Sequence, residues 1–148
     1  MATRNTYLLD TPIEEFPRQV SFRDISAEPE VFFDGDRFLE YIQRHFSGFD
    51  VATYSLSRSA DAPLRKVRRL LTNLPLGPCG LRPEAVRVVA NNHAKVFLCY
   101  DGEALACVYV GSQNLTHGTQ INIMVRVDYL HNKRFLNFFD TLWNTAKP

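Results

Sequence analysis

Residues 91–116 read NNHAKVFLCYDGEALACVYVGSQNLT. Two apolar runs in this stretch are broken once, at Asp101-Gly102. Asp-Gly between apolar runs is a strong short-range hairpin signal, so the stretch predicts a buried hairpin turning at 101–102. Its polar residues collect at the open end. His93 and Lys95 stand two apart on one side, and Gly111, Ser112 and Asn114 stand on the other.

The flanking sequence predicts what covers the hairpin. DGDRFLEYIQRHFSG reads as a helix, with Phe38, Leu39, Ile42 and Phe46 at helical spacing, Asp34 or Asp36 as cap and Gly48 as stop. FDVATYSLS has the composition of a buried strand. DAPLRKVRRLLTNL predicts a second helix capped by Asp61, with Pro63 in its first turn and Leu64, Val67, Leu70, Leu71 and Leu74 on one face. PLGPCGLRP is a loop, and AVRVVA and INIMVRV are strands. LHNKRFLNFFDTLWNTA is a closing helix that turns Phe135, Phe138, Phe139 and Leu142 inward. TYLLD and RQVSFRDI read as short extended pieces near the start. Helices and strands intermix around a hairpin, which predicts an α/β fold, a mixed β-sheet flanked by helices. With 148 residues and 45% hydrophobic content, one domain over 1–148 is expected, residues 1–33 forming an N-terminal extension packed on it.

Several function classes are set aside at this level. No apolar run approaches the roughly 20 residues of a membrane span, so no membrane partner is expected. The start MATRNTYLLDTPIEEF does not read as a secretory signal. Cys79, Cys99 and Cys107 fit neither a zinc spacing nor a disulfide framework, and Cys99 and Cys107 lie in apolar runs as small hydrophobes. A cytoplasmic protein without cofactor or metal is the expectation. The net charge of +1 means that any attraction to nucleic acid rests on a local patch.

In an extended strand, residues i and i+2 face one way, so His93 and Lys95 pair up, as do Ser112 and Asn114 if the second strand runs that far. The hairpin folds one pair beside the other. Lys supplies charge to an anion, Ser and Asn supply neutral donors, and His is a nucleophile or general acid.

HAK at 93–95 and GSQN at 111–114, with Leu115 and Thr116 after them, resemble the H-x-K and G-S-x-N-L-T signature of the phospholipase D superfamily, in its single-motif nuclease-like branch. ATYSLS, INIMVRV and FFDTLW resemble the elements flanking that signature, so the likeness runs from about residue 36 to about residue 145. It implies a phospholipase D-like sandwich. It also implies a metal-independent phosphodiesterase in which His93 forms a phosphohistidine while Lys95 and Asn114 stabilise the phosphoryl oxygens. Such a site uses two motif copies, and one chain has one, so a homodimer that brings two His93 side chains together is implied. The sequence departs from the signature at Tyr100, where relatives carry an Asp followed one place later here by Asp101, and at Met124, where they carry a Glu. The gap from Lys95 to Gly111 is also longer.

A histidine alone in a strand is usually structural, and it is the company of Lys95 and GSQN that singles out His93. His45, His117 and His131 have no such pattern. Arg58, Arg65, Lys66, Arg68 and Arg69 form a basic cluster that is either the solvated face of a helix or a patch tracking phosphates. On the second reading Arg58, Arg65 and Arg69 join Ser112 and Gly111 as substrate contacts. The cluster favours a nucleic-acid substrate, DNA ahead of RNA. The alternatives are a binding or regulatory protein with a decayed site, and a phospholipid-cleaving enzyme.

Overall fold

The computed structural model describes residues 30–55, 65–73, 81–115 and 121–146. The strands are β1 (Val31–Asp34), β2 (Gly48–Thr53), β3 (Val67–Thr72), β4 (Val86–Val88), β5 (Val96–Asp101), β6 (Ala104–Gly111) and β7 (Ile121–Arg126). The helices are α1 (Gly35–His45) and α2 (Asn132–Thr145). One seven-stranded sheet runs β1-β7-β6-β5-β2-β3-β4. β2, β3 and β4 are parallel, and every other pairing is antiparallel.

The central strands are buried on both faces, and alternation along them sorts the core into two layers. On β5, Phe97 and Cys99 point to one side, where Phe38, Leu39 and Ile42 of α1 meet them. Val96, Leu98 and Tyr100 point to the other side, where Phe139 of α2 lies. Phe38 sits at the middle of the first layer, with edge-on rings of Phe97 at 5.0 Å and Tyr109 at 5.1 Å. Cys99 and Cys107 face each other across β5 and β6 as free thiols in this layer. The mixed sheet between helices is the architecture expected from the sequence.

Local chemistry sets the ends. Asp34 caps α1 by accepting from the backbone N–H of Asp36 and Arg37. Gly48 does not stop that helix but opens β2. In the β5–β6 hairpin Asp101 still pairs with Ala104, so the turn residues are Gly102 and Glu103. Gly102 has φ 64°, and a positive φ at the first turn position alone is the type II′ pattern, which glycine adopts freely.

One predicted element changes type. VRRLLT is strand rather than helix: β3 lies between β2 and β4, with Leu70 packed toward α1 and Leu71 toward α2. Leucines at 70 and 71 would share a helix face, but in a strand they serve both buried faces of the sheet. Residues 31–33, expected in the N-terminal extension, lie in β1, an edge strand bonded to β7. TYLLD, RQVSFRDI, Asp61, Pro63, Leu64, Leu74 and Cys79 lie outside the described residues.

Candidate active site

The site forms at the carboxyl end of β2, the strand where the sheet changes from antiparallel to parallel pairing.

His93 is held from both sides by its neighbour Asn92, which is only 6% exposed. Asn92 Nδ2 donates to the Thr53 carbonyl, its backbone N–H donates to Asn73 Oδ1, and its Oδ1 accepts from Ala94 N. Asn91 takes the left-handed turn with φ 64°, a conformation asparagine tolerates. The His93 ring projects outward and stacks on Tyr54, centroids 4.6 Å apart and planes 21° off parallel. Lys95 Nζ donates to the His93 carbonyl at 3.0 Å and stands 5.9 Å above the same Tyr54 ring.

Asn114 arrives from the other strand. Its Oδ1 accepts from the backbone N–H of Tyr54 at 3.0 Å and of Ser55 at 3.2 Å, with the Thr53 hydroxyl 3.1 Å away. Two backbone N–H groups fix which end of the amide is oxygen, so Nδ2 is the end left to donate elsewhere. Thr53 Oγ1 also accepts from Leu115 N, tying the segment down behind Asn114. Gly111 N donates to the Lys95 carbonyl, which sets the two strands in register at the open end. His93, Lys95 and Asn114 therefore converge around Tyr54, as an imidazole, a cation and an oriented amide donor.

Ser112 and Gly111 have different work. β6 ends at Gly111, so Ser112 and Asn114 do not share a direction. The Ser112 hydroxyl donates to Asn122 Oδ1 and accepts from Ile123 N, facing β7 while Asn114 faces β2. A Cβ at Gly111 would collide with the Ile123 carbonyl, so glycine permits β6 and β7 to close here. Both residues hold the end of β6 against β7 beside the site.

The arginines are likewise displaced from their expected role. Because β3 runs parallel to β2, its start lies by Phe49 and its end by Thr53, so Arg65 stands at the far end of the sheet. Arg69 sits 2.6 Å from Asp50 and 2.9 Å from Asp140, against the rings of Phe139 and Trp143. Burial opposes its charge, but the bonds and attraction of Asp50 and Asp140 outweigh that and hold the guanidinium charged more firmly than usual. Lys66 donates to the Gln43 and Phe46 carbonyls at the end of α1, and Arg68 lies over the Tyr100 ring. Lys66, Arg68 and Arg69 are thus engaged within the fold, while Arg65 is exposed. Arg58 lies outside the described residues.

The two departures from the signature have structural explanations. Tyr100 is five residues along β5 from Lys95, roughly 17 Å at strand rise, too far for the two side chains to share one small ligand. Its hydroxyl donates to Asp50 at 2.7 Å; burial first, and then Asp50, push its pKa well above the ordinary tyrosine value. The acid at this end of the sheet thus comes from β2. Met124 is fully buried toward α1, and its Sδ accepts the Gln113 N–H at 3.3 Å. The sequence reading missed Thr53, Tyr54, Ser55 and Asn92. Their signal is pairing across about 40 to 60 residues, which no local motif spacing carries.

No protein-family model matches the chain, and no curated protein does. Among solved structures it is similar to Nuc from Salmonella typhimurium, a phospholipase D family member, at 18% identity and a TM-score of 0.53, over 81% of this chain and 97% of that one. The seven-stranded sheet with α1 and α2 on its two faces is therefore a phospholipase D-like fold, and HAK and GSQN meet at the carboxyl end of its β2.

Proposed function

We propose that this chain is a phosphodiesterase that hydrolyses nucleic acid without a metal, through a phosphohistidine on His93, at a site shared by two copies. The observation that carries the reading is Tyr54, whose backbone N–H, with that of Ser55, fixes the Asn114 amide oxygen while its ring stacks on His93 and lies beneath Lys95. A phosphodiester needs a nucleophile, a cation and a neutral donor on its oxygens, and the motif resemblance and the fold of Nuc favour that use.

In this mechanism a ring nitrogen of one His93 bonds to phosphorus as the P–O bond to the leaving group breaks. The second copy's imidazolium gives its proton to the departing oxygen. That imidazole then takes a proton from water, the hydroxide breaks the P–N bond, and both histidines return to their starting states. Lys95 Nζ and Asn114 Nδ2 stabilise the charge on the phosphoryl oxygens in both steps.

Support for the shared site comes from the uncovered face of β7. Met124 points to α1, so Ile121, Ile123 and Val125 point to the side where α2 lies, yet they remain exposed. Tyr129 and Leu130, in the turn after β7, are also 76% and 69% exposed. A patch of this kind marks an association surface.

The test is hydrolysis of DNA, RNA and bis(p-nitrophenyl) phosphate, with and without EDTA, by wild type and His93→Ala. Wild-type turnover that persists in EDTA, with a labelled phosphate trapped on His93, is expected. Activity that needs a divalent metal or survives His93→Ala would rule the mechanism out. A protein inert on all three that still binds nucleic acid would be a binding protein.

A further inference from the structure

A groove of about 780 Å³ opens beside His93 and Lys95 and continues to α2. Among the described residues its charged or titratable lining is His93, Lys95, His131 and Arg134, without a carboxylate. Among the described residues the ion pairs engage neither Lys95 nor Arg134. The rest of the lining is apolar, chiefly Val110, Val127, Phe135 and Phe138. Phe138 is 40% exposed although Phe139, the next residue on α2, is fully buried.

Cationic groups without acids favour an anion. The apolar lining next to them favours an anion that carries a flat apolar body within a few ångströms of its charge. A duplex presents phosphates and base edges, while its base faces are stacked inside. An unpaired strand presents a base face beside each phosphate, and such faces stack on aromatic side chains. The groove's size falls within the roughly 300–1,000 Å³ of small-ligand sites, enough for a nucleotide and too confined for a helix about 20 Å across.

We propose that this groove seats an unpaired base on Phe138, with Arg134 on a neighbouring phosphate, so that the substrate is single-stranded nucleic acid. The inference rests on the phosphodiesterase reading above and narrows it.

Binding of a short labelled single-stranded oligodeoxynucleotide is compared with that of its duplex by fluorescence anisotropy. Hydrolysis of bis(p-nitrophenyl) phosphate is followed separately, since it needs no groove and tests the phosphodiesterase reading alone. Wild type is expected to favour the single strand by about ten-fold or more, the range set by one stacked base. Phe138→Ala should erase the preference and Phe138→Trp should keep it, with circular dichroism verifying the fold of each. Arg134→Gln, at an exposed position, should lower the slope of log affinity against log salt by about 0.7. Equal binding of single strand and duplex, or equal loss of both in Phe138→Ala, overturns the inference even if the small diester is cleaved. So does tighter binding to phosphatidylglycerol vesicles than to the oligonucleotide. A shift from dimer to monomer on light scattering of Phe138→Ala would assign the groove to a second copy and overturn it as well.

Discussion

Asn114 serves structure at one end of its amide and chemistry at the other. Asn114→Asp keeps an oxygen for the Tyr54 and Ser55 N–H groups but removes the Nδ2 donor and adds a negative charge. Its melting temperature should stay near wild type while kcat on a diester falls by about 10²-fold or more, the loss typical of one oxyanion donor. A parallel loss of stability and activity would mean that the donor end has no part in the reaction. Met124 makes the opposite case. Met124→Glu installs the residue type that the resembled signature has there, yet here it places a carboxylate in the apolar layer beneath α1. Destabilisation of about 2–4 kcal/mol in urea titration is expected, not a gain in activity. His93, Lys95 and Asn114 were legible in the sequence because a motif fixes their spacing. The hydrogen bonds that orient Asn114 were not, because residues 53–55 reach it only once β2, β5 and β6 lie side by side.

Among the elements, β3 shows where reading from sequence fails. LRKVRRLL fits an amphipathic helix as well as a strand, and nothing local decides between them. The sheet decides: β2 needs a parallel neighbour, and the position supplies Leu70 to one layer and Leu71 to the other. The error carried the arginines with it, since a helix after β2 would bring them near the site and a parallel strand takes Arg65 away. Arg69→Ala therefore should weaken folding by about 2–4 kcal/mol, leaving Asp50 buried without its cation, while nucleic-acid affinity measured on folded protein stays unchanged. Gly111→Ala tests the seam between β6 and β7. The added methyl meets the Ile123 carbonyl, so the strands must part just where Ser112 and Gln113 are anchored. Loss of amide protection at Ile123 in hydrogen exchange, together with lost activity, is the expected result.

For the whole molecule two measurements apply. Ile123→Lys puts charge into the exposed apolar face of β7. On the shared-site reading it should give a folded, inactive monomer by light scattering, and a fully active monomer would contradict that reading. The alkaline limb of stability belongs to Tyr100. Its raised pKa means that the folded chain holds the phenolic proton more tightly than the unfolded chain does. The stabilisation is complete below the ordinary tyrosine value of about 10 and drains away as pH rises past it. Tyr109, raised first by its burial, adds to the same limb. Thermal melts from about pH 9 to about pH 11 should show a shallower decline in Tyr100→Phe.

The two sides of the site differ in how they are fastened, and this gives them different clocks. The Asn114 oxygen is bonded to the backbone N–H groups of Tyr54 and Ser55, the two residues just past β2, so that wall loosens only when both bonds break. Among the described residues the His93 ring rests on Tyr54 by a stack alone, and an exposed ring held so can change rotamer in nanoseconds. A ligand would therefore meet a template on one side and a swinging arm on the other. Relaxation measurements should find the Tyr54 and Ser55 amides silent while the imidazole of His93 reorients.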